Sequence, residues 1–162
     1  HTGYKTAMQA IEFSQAPVIF SHSNARAVRD HERNIPDELI KAAAESGGFV
    51  GVTGVAKFLG PNGSTVEHLV EHIDYLVEMI GPEHVAISMD SVLTTKASGA
   101  NFARNREWWP ESQYPEDGLE GYIPPEDFPK VTQTLLDRGY SEKNILGILG
   151  ENYLNLATKI WK

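Results

Sequence analysis

The sequence predicts an α/β fold with parallel strands. Three short apolar runs, "PVIF" (17–20), "FVGVTG" (49–54) and "HVAISMD" (84–90), begin 32 and 35 residues apart, and an amphipathic helical stretch bridges each pair. Connections long enough to hold a helix bring successive strands back parallel, and apolar runs that do not alternate with polar residues belong to strands covered on both faces. No Gly-rich phosphate-binding fingerprint follows any of the three runs.

Taken in order, the elements alternate. Tyr4, Ala7, Met8 and Ile11 fall at i, i+3, i+4 and i+7, the spacing of one helix face. After the first run and a polar loop, Pro36 stands at a first helical turn beside Asp37 and Glu38, with Leu39, Ile40, Ala43 and Ala44 as the apolar stripe and Gly47 and Gly48 as the stop. A third helix opens on a capping-box pattern, Ser64 to Glu67, carries Val66, Leu69, Val70, Ile73, Val77 and Ile80, and ends at Gly81 and Pro82. Residues 91–124 break the rhythm with Trp108, Trp109, Tyr114 and Tyr122 among Gly and Pro. A connection this long reads either as a functional loop or lid, or as a satellite core over the strand ends. Helix returns from Pro125 to Leu136. A last helical region, 141–161, carries Ile145, Leu149, Tyr153, Leu156 and Ile160, divided at Gly147 and Gly150. The spacing fits a (β/α)8 TIM-type barrel as well as an open doubly wound sheet; subtracting the inserted loop leaves about four βα units, half of an eightfold barrel, whose missing half would be N-terminal. The start "HTGYKTAM", without an initiator Met, leads to the expectation of a processed chain or a part of a larger protein.

Composition narrows the chemistry. Twenty-two acidic residues against 14 basic give a net charge of -8 with no Lys/Arg-rich stripe, which argues against nucleic acid and anionic lipid as partners. No apolar run approaches the roughly 20 residues of a membrane helix. With no cysteine, a transition metal would have to be held by His, Asp and Glu.

In parallel βα folds the binding groups gather at the C-terminal strand ends. His22 and Asp90 stand there, directly after "PVIFS" and "HVAISM", and His1 joins them if a strand ends at it. An imidazole at such a place is either a metal ligand or a hydrogen-bonded core histidine. His68 and His72, four apart on one helix, lie off the Val66, Ile73, Val77 stripe and are read as surface residues, and His84 begins its strand as a structural residue. His31, within "DHER", either reaches the site or sits in a solvated loop. Arg33 either clamps a carboxylate bidentately or, as position alone favours, makes a weak surface pair with Asp30 or Glu32.

At these residues the chain resembles the membrane dipeptidase (renal dipeptidase) family of zinc peptidases, within the amidohydrolase-like barrels. "HTGYKTAM" is similar to the family's fifth-strand histidine and following helix, "PVIFSHSNAR" to its sixth strand and "RNIPDELI" to its substrate-arginine segment. "GLEGYIPPEDFPKVTQTLLDRGYSEKNILGILGENYLNL" is similar to its closing helices, and the 21-residue separation of His1 and His22 agrees with the family spacing. The resemblance implies that residues 1–162 are the C-terminal half of one metal-dependent hydrolase barrel. It further implies that His1 and His22 hold one zinc of a binuclear pair, that Arg33 binds the dipeptide's free carboxylate, and that Asp90 is the eighth-strand acid near the metal-bound water. Two departures stand out. "SMDSV" replaces the "GSDFDG"-like sequence of many relatives, removing a second acid, and the family's His-x-Asp pair, bridging Glu and a further substrate-contacting histidine all precede His1 in the family pattern. The expected activity is therefore that of a zinc-dependent dipeptidase requiring an N-terminal half, in the same or a separate chain. The alternatives are a non-catalytic half-barrel module that self-associates as a homodimer or binds a partner, and a related metal hydrolase acting on amides, N-acyl groups or lactones.

Overall fold

The structure, a computed structural model, describes residues 2–60, 65–91, 104–108 and 121–161. Its elements are α1 (Tyr4–Phe13), α2 (Asp37–Glu45), β1 (Val50–Val52), α3 (Ala56–Leu59), α4 (Val66–Ile80), β2 (Val85–Ile87), α5 (Phe128–Asp137), α6 (Glu142–Leu146) and α7 (Asn152–Ile160). Short 3-10 turns at Pro82–His84 and Pro125–Asp127 lead into β2 and α5, and a wide turn at Gly147–Glu151 joins α6 to α7.

The parallel arrangement expected from the spacing is present. β1 pairs with β2 in parallel register, Val50 opposite Val85 and Val52 opposite Ile87. On the other side of β1 the segment 17–20 also runs parallel, although only Phe20 makes a full bridge, to Val50. The Phe20 N–H donates to the Phe49 carbonyl, Gly51 N–H to that of Phe20, and Ser23 N–H to that of Gly51. One turn earlier the Val18 N–H goes to Ser46 Oγ at 3.0 Å, so the strand expected over 17–20 is realised at its C-terminal end. β1 is the middle of three and is buried along its whole length, as a near-continuous apolar run should be.

Helices pack outside this sheet. α4 lies against α2, α5 and both strands, burying Leu69, Val70, Ile73 and Leu76 completely. Its polar edge is tied down on both sides: Tyr75 Oη donates to Asp37 at the start of α2 at 2.8 Å, while Asp74 pairs with Arg138 and accepts from Tyr140 Oη at 2.7 Å. Gly47 and Gly81 end α2 and α4 at φ of 85° and 83°, a left-handed step open to residues without Cβ. Asn152 stitches the last helix to the sheet by donating from Nδ2 to the carbonyls of Pro82 and Val85, both at 2.8 Å.

Four expectations are refined. Pro36 caps α2 rather than opening its first turn. α4 is capped by Thr65, whose Oγ1 accepts from the His68 N–H at 3.2 Å, and Ser64 lies outside the described residues. The buried stripe of α4 runs through Leu76, with Val77 and Ile80 only half-buried. The expected division at Gly147 and Gly150 is present, Gly150 adopting a non-helical φ/ψ. However, the apolar stripe beyond that division is not covered by described residues: Tyr153, Ile160 and Trp161 remain exposed although Ile145 is buried. No helix among the described residues is long and apolar enough to cross a membrane.

β1 contains Gly51 because its neighbour needs the space. A Cβ there would stand 2.5 Å from the Ser21 carbonyl oxygen, a backbone atom that no rotamer change can move. Gly51→Ala is expected to lower stability by about 1–3 kcal/mol through overpacking, read as a lower denaturant midpoint, and to displace residues 20–23 as seen by chemical-shift changes confined to them and to β1.

Candidate active site

The strand tips sit at one end of the sheet. From the register, His22 follows the Phe20 bridge, Thr53 and Gly54 follow β1, and Met89 and Asp90 follow β2. The tips stay in step beyond the strands, because Ser88 N–H donates to the Val52 carbonyl and Gly54 N–H to that of Met89. Two strand spacings separate the His22 strand from the Asp90 strand, about 10 Å. That is too far for a direct hydrogen bond and suited to flanking a small substrate.

His22 is half-buried, with Nδ1 2.7 Å from Ser21 Oγ. If Nδ1–H is donated to the serine, Nε2 presents its lone pair, the arrangement in which a neighbour fixes a metal-binding tautomer. The ring borders a cavity of about 220 Å³ lined also by Thr2, Ala7 and Ser23. His1 lies outside the described residues. Among the described residues no three His, Cys, Asp or Glu side chains gather to hold a metal ion, so His22 fits as one ligand of a larger donor set and not as a complete centre. Asp90 is exposed at the tip of β2 with φ of 54°, the one described non-glycine residue at positive φ. Aspartate tolerates this region better than most residues, and such strain concentrates at functional positions.

Arg33 occupies a different wall. Its guanidinium carbon lies 5.3 Å above the centre of the Phe58 ring, and the residue is half-buried. It lines a cavity of about 740 Å³ together with Thr2, Ser23, Arg26, Glu32 and Trp108. Thr2 and Ser23 are the chain neighbours of His1 and His22, so the arginine's cavity adjoins the histidine tip. Asp30, expected as a partner of Arg33, lies 3.7 Å from Arg26 in an exposed pair, and Arg26 also donates from Nε and Nη2 to the His31 carbonyl, both at 3.2 Å. His31 packs tilted on the same Phe58, 5.0 Å between ring centres, and its Nδ1 accepts from the Arg33 N–H at 3.1 Å. Burial, followed by the nearby Lys57, Arg29 and Arg33, holds the His31 imidazole below its ordinary pKa. An acidic protein thus concentrates cations around one loop. Lys57, which shares the Phe58 ring at 5.3 Å, and Phe58 itself were not legible as site residues, because α3 is a single turn without a sequence signature.

His72 is a correction. The helical pair His68 and His72 was expected on the surface, yet His72 is completely buried. It lies three residues after Leu69 and four before Leu76, on the face those leucines bury, a signal the Val66, Ile73, Val77 stripe conceals. His84 is structural as expected: it ends the turn before β2 and donates from Nδ1 to the Gly48 carbonyl at 2.7 Å. Of the 91–124 aromatics, Trp108 is exposed. Tyr122 bridges antiparallel to Val55, while Trp109 and Tyr114 lie outside the described residues.

A family model described as membrane dipeptidase (Peptidase family M19) matches residues 1–99, more than half of the chain. The chain belongs to the membrane dipeptidase family. It is 33% identical to Dipeptidase 3 of Mus musculus and 30% identical to Dipeptidase verJ of Clonostachys rogersoniana, each alignment covering 99% of this chain but 28% and 36% of the relative. The chain therefore spans about a third of the length of these family members. Among solved structures, an amidohydrolase from Pseudomonas aeruginosa superposes with a TM-score of 0.77 at 29% identity over 99% of this chain and 51% of its own. A metallo peptidase from Rhodobacter sphaeroides, liganded with a phosphinate mimic of the dipeptide L-Ala-D-Ala, superposes with a TM-score of 0.74 at 23% identity, over 99% of this chain and 41% of its own. The second likeness supports the fold alone.

Burial, the largest effect, pushes the His72 imidazole down to about 4, with His68 adding to the depression and the Leu59 hydrogen bond opposing it. Since an unfolded histidine titrates near 6.5, the unfolded chain binds the extra proton between these values. The stabilisation by neutral His72 is then complete above pH 6.5 and is lost as pH falls towards 4, by roughly 3 kcal/mol. Urea midpoints measured from pH 7 to pH 4 should show this loss in the wild type and a shallower one in His72→Gln.

Proposed function

We propose that residues 1–162 form the C-terminal half of a (β/α)8 barrel whose complete form is a zinc-dependent dipeptidase. The observation that supports the reading is the shared sheet end: His22 and Asp90 close the parallel tips that flank β1, and the cavity of Arg33 adjoins the histidine tip. His1 and His22 would hold one zinc of a binuclear pair, the remaining ligands coming from residues outside this chain. That Thr2 and His22 line one cavity supports placing His1 there. When bound, zinc polarises the scissile carbonyl and acidifies water to the point of attack at neutral pH.

The chain's own residues do the rest. Arg33, backed by Phe58, takes the free carboxylate of a dipeptide through a charge-assisted pair and so registers the peptide bond against the tips. The surrounding Arg26, Arg29 and Lys57 raise the local positive potential, which favours a substrate ending in a carboxylate. Asp90 accepts the attacking water's proton and returns it to the leaving amine.

The partner reading follows from the uncovered apolar stripe of α7. Tyr153, Ile160 and Trp161, with Pro17, Ile19 and Phe49, border an apolar cavity of about 140 Å³ at the sheet margin, a surface suited to the N-terminal half of the barrel. The same surface favours a second reading, a half-barrel that associates as a homodimer without catalysis. Sedimentation of the chain together with its zinc content separates the two, a metal-free dimer favouring the second. The likeness to a protein named an amidohydrolase keeps other metal hydrolysis, of amides or lactones, within the substrate panel.

In the complete protein, exhaustive chelation should abolish dipeptide hydrolysis and zinc should restore it; full turnover without metal would end the proposal. Arg33→Ala should lower kcat/KM for dipeptides by about 10- to 100-fold, the size of a lost charged hydrogen bond, with little change for a dipeptide amide. Asp90→Asn should lower kcat by about 100-fold or more, measured at saturating dipeptide.

A further inference from the structure

Among the described residues the buried polar side chains are Ser23, Asn24, Asn34, Thr53 and His72, and all of them belong to or bond with the segment 23–35. Asn24 Nδ2 donates to the Thr53 carbonyl at 3.2 Å while its Oδ1 accepts from the Thr53 N–H at 3.0 Å. Asn34 Nδ2 donates to the carbonyls of Arg29 and Phe58, both at 2.9 Å. His72 reaches in from the middle of α4. Its Nδ1 is 3.2 Å from the Ala25 nitrogen and its Nε2 is 3.2 Å from the Leu59 oxygen. An amide N–H only donates and a carbonyl only accepts, so the two bonds together dictate one form of the ring: neutral, with its proton on Nε2.

We propose that His72 is a positioning residue for substrate recognition. Through Ala25 it fixes the start of the segment that presents Arg33, and through Leu59 it fixes the last residue of α3, next to the Phe58 ring on which the Arg33 guanidinium rests. Both parts of the carboxylate clamp, the cation and its aromatic seat, are thereby referred to one rigid point on the longest helix. A buried amide left without its acceptor would seek another, and the segment would shift with it. The proposal rests on the reading of Arg33 as the carboxylate ligand, and it concerns a residue that touches neither substrate nor metal.

Two variants of the complete enzyme dissect the ring. Asparagine carries an acceptor where Nδ1 stands and can keep the Ala25 bond, whereas glutamine places its amide near Nε2, can keep the Leu59 bond, and leaves the Ala25 N–H unbonded. His72→Gln should raise KM for a dipeptide about tenfold with kcat nearly unchanged. His72→Asn should recover most of that loss, and neither variant should alter turnover of a dipeptide amide. Hydrogen exchange of the Ala25 amide should accelerate at least tenfold in His72→Gln, while the amides of 85–87 keep their wild-type protection. Unchanged Ala25 exchange in His72→Gln, or loss of protection throughout 85–87 in both variants, would overturn the positioning role. Accelerated Ala25 exchange in an enzyme whose dipeptide KM is indifferent to Arg33→Ala would leave the clamp standing as a feature of the fold and remove Arg33 from carboxylate binding, which overturns the role in recognition.

Discussion

The close approach of residues 20–23 to β1 is the constraint from which the rest of the site follows. Three backbone hydrogen bonds, from Phe20, Gly51 and Ser23, seat that segment parallel to β1, and the missing Cβ of Gly51 leaves room for the Ser21 carbonyl. Parallel pairing has a directional consequence that antiparallel pairing lacks: all chain exits lie at one end. His22 and Asp90 share an end because two successive ladders point the same way, not because any contact links them. The sheet thus aligns groups that are far apart in sequence with little help from the side chains themselves.

The arginine segment is held differently. Between Ser23 and Pro36 its regular pairing is the isolated parallel bridge of Ala25 with Ile35, so a ladder or a helix satisfies few of its backbone groups. Buried side chains supply further partners: Asn34 donates to the Arg29 and Phe58 carbonyls, His72 accepts from the Ala25 N–H, and Asn24 ties the segment to the backbone of Thr53, each bond being directional. Apolar packing alone would confine such a loop without fixing its course, since dispersion contacts are individually weak and not directional. A hydrogen-bonded interior fixes the course, at the cost of burying groups that must all be paired. The outer face of the same loop is rich in cations in a chain of net charge -8. A carboxylate arriving beside Arg33 therefore meets Arg26, Arg29 and Lys57 nearby, in a loop that also carries Asp30 and Glu32.

Much of this architecture was legible in the sequence, and the reasons divide cleanly. The helices at 4–13, 37–45 and 66–80 announce themselves by repeated apolar spacing, and the parallel order of the strands follows from the length of the crossovers. Strand-end position alone singled out His22 and Asp90. What was not legible depended on rotation or on long-range contact. His72 lies at the margin of the expected stripe, which widens in the structure to include Leu76 on the side of the histidine, so that the buried face reaches it. Phe58 was missed because a single helical turn has no periodicity to read, and the pairing of Asp30 with Arg26 in preference to Arg33 is a matter of loop path, on which sequence proximity is silent.

The helices also differ in what their apolar faces imply. The stripes of α4 and α7 both look like core in the sequence, yet Leu69, Ile73 and Leu76 are sealed while Tyr153, Ile160 and Trp161 are exposed. The difference is not in the residues but in their neighbours: α4 lies between α2, α5 and the sheet, whereas the far side of α7 has no described element against it. Apolar area costs free energy in water in proportion to its exposure, about 25 cal/mol per Å². An amphipathic helix with an open face of large side chains is stabilised by whatever covers it. The last helix lies beside the second apolar run, where Tyr153 meets Phe49, 5.6 Å between ring centres, and it shares a cavity with Pro17 and Ile19 of the first. A cover placed there would bear on the same segment that carries His22, since Pro17 and Ile19 line that cavity.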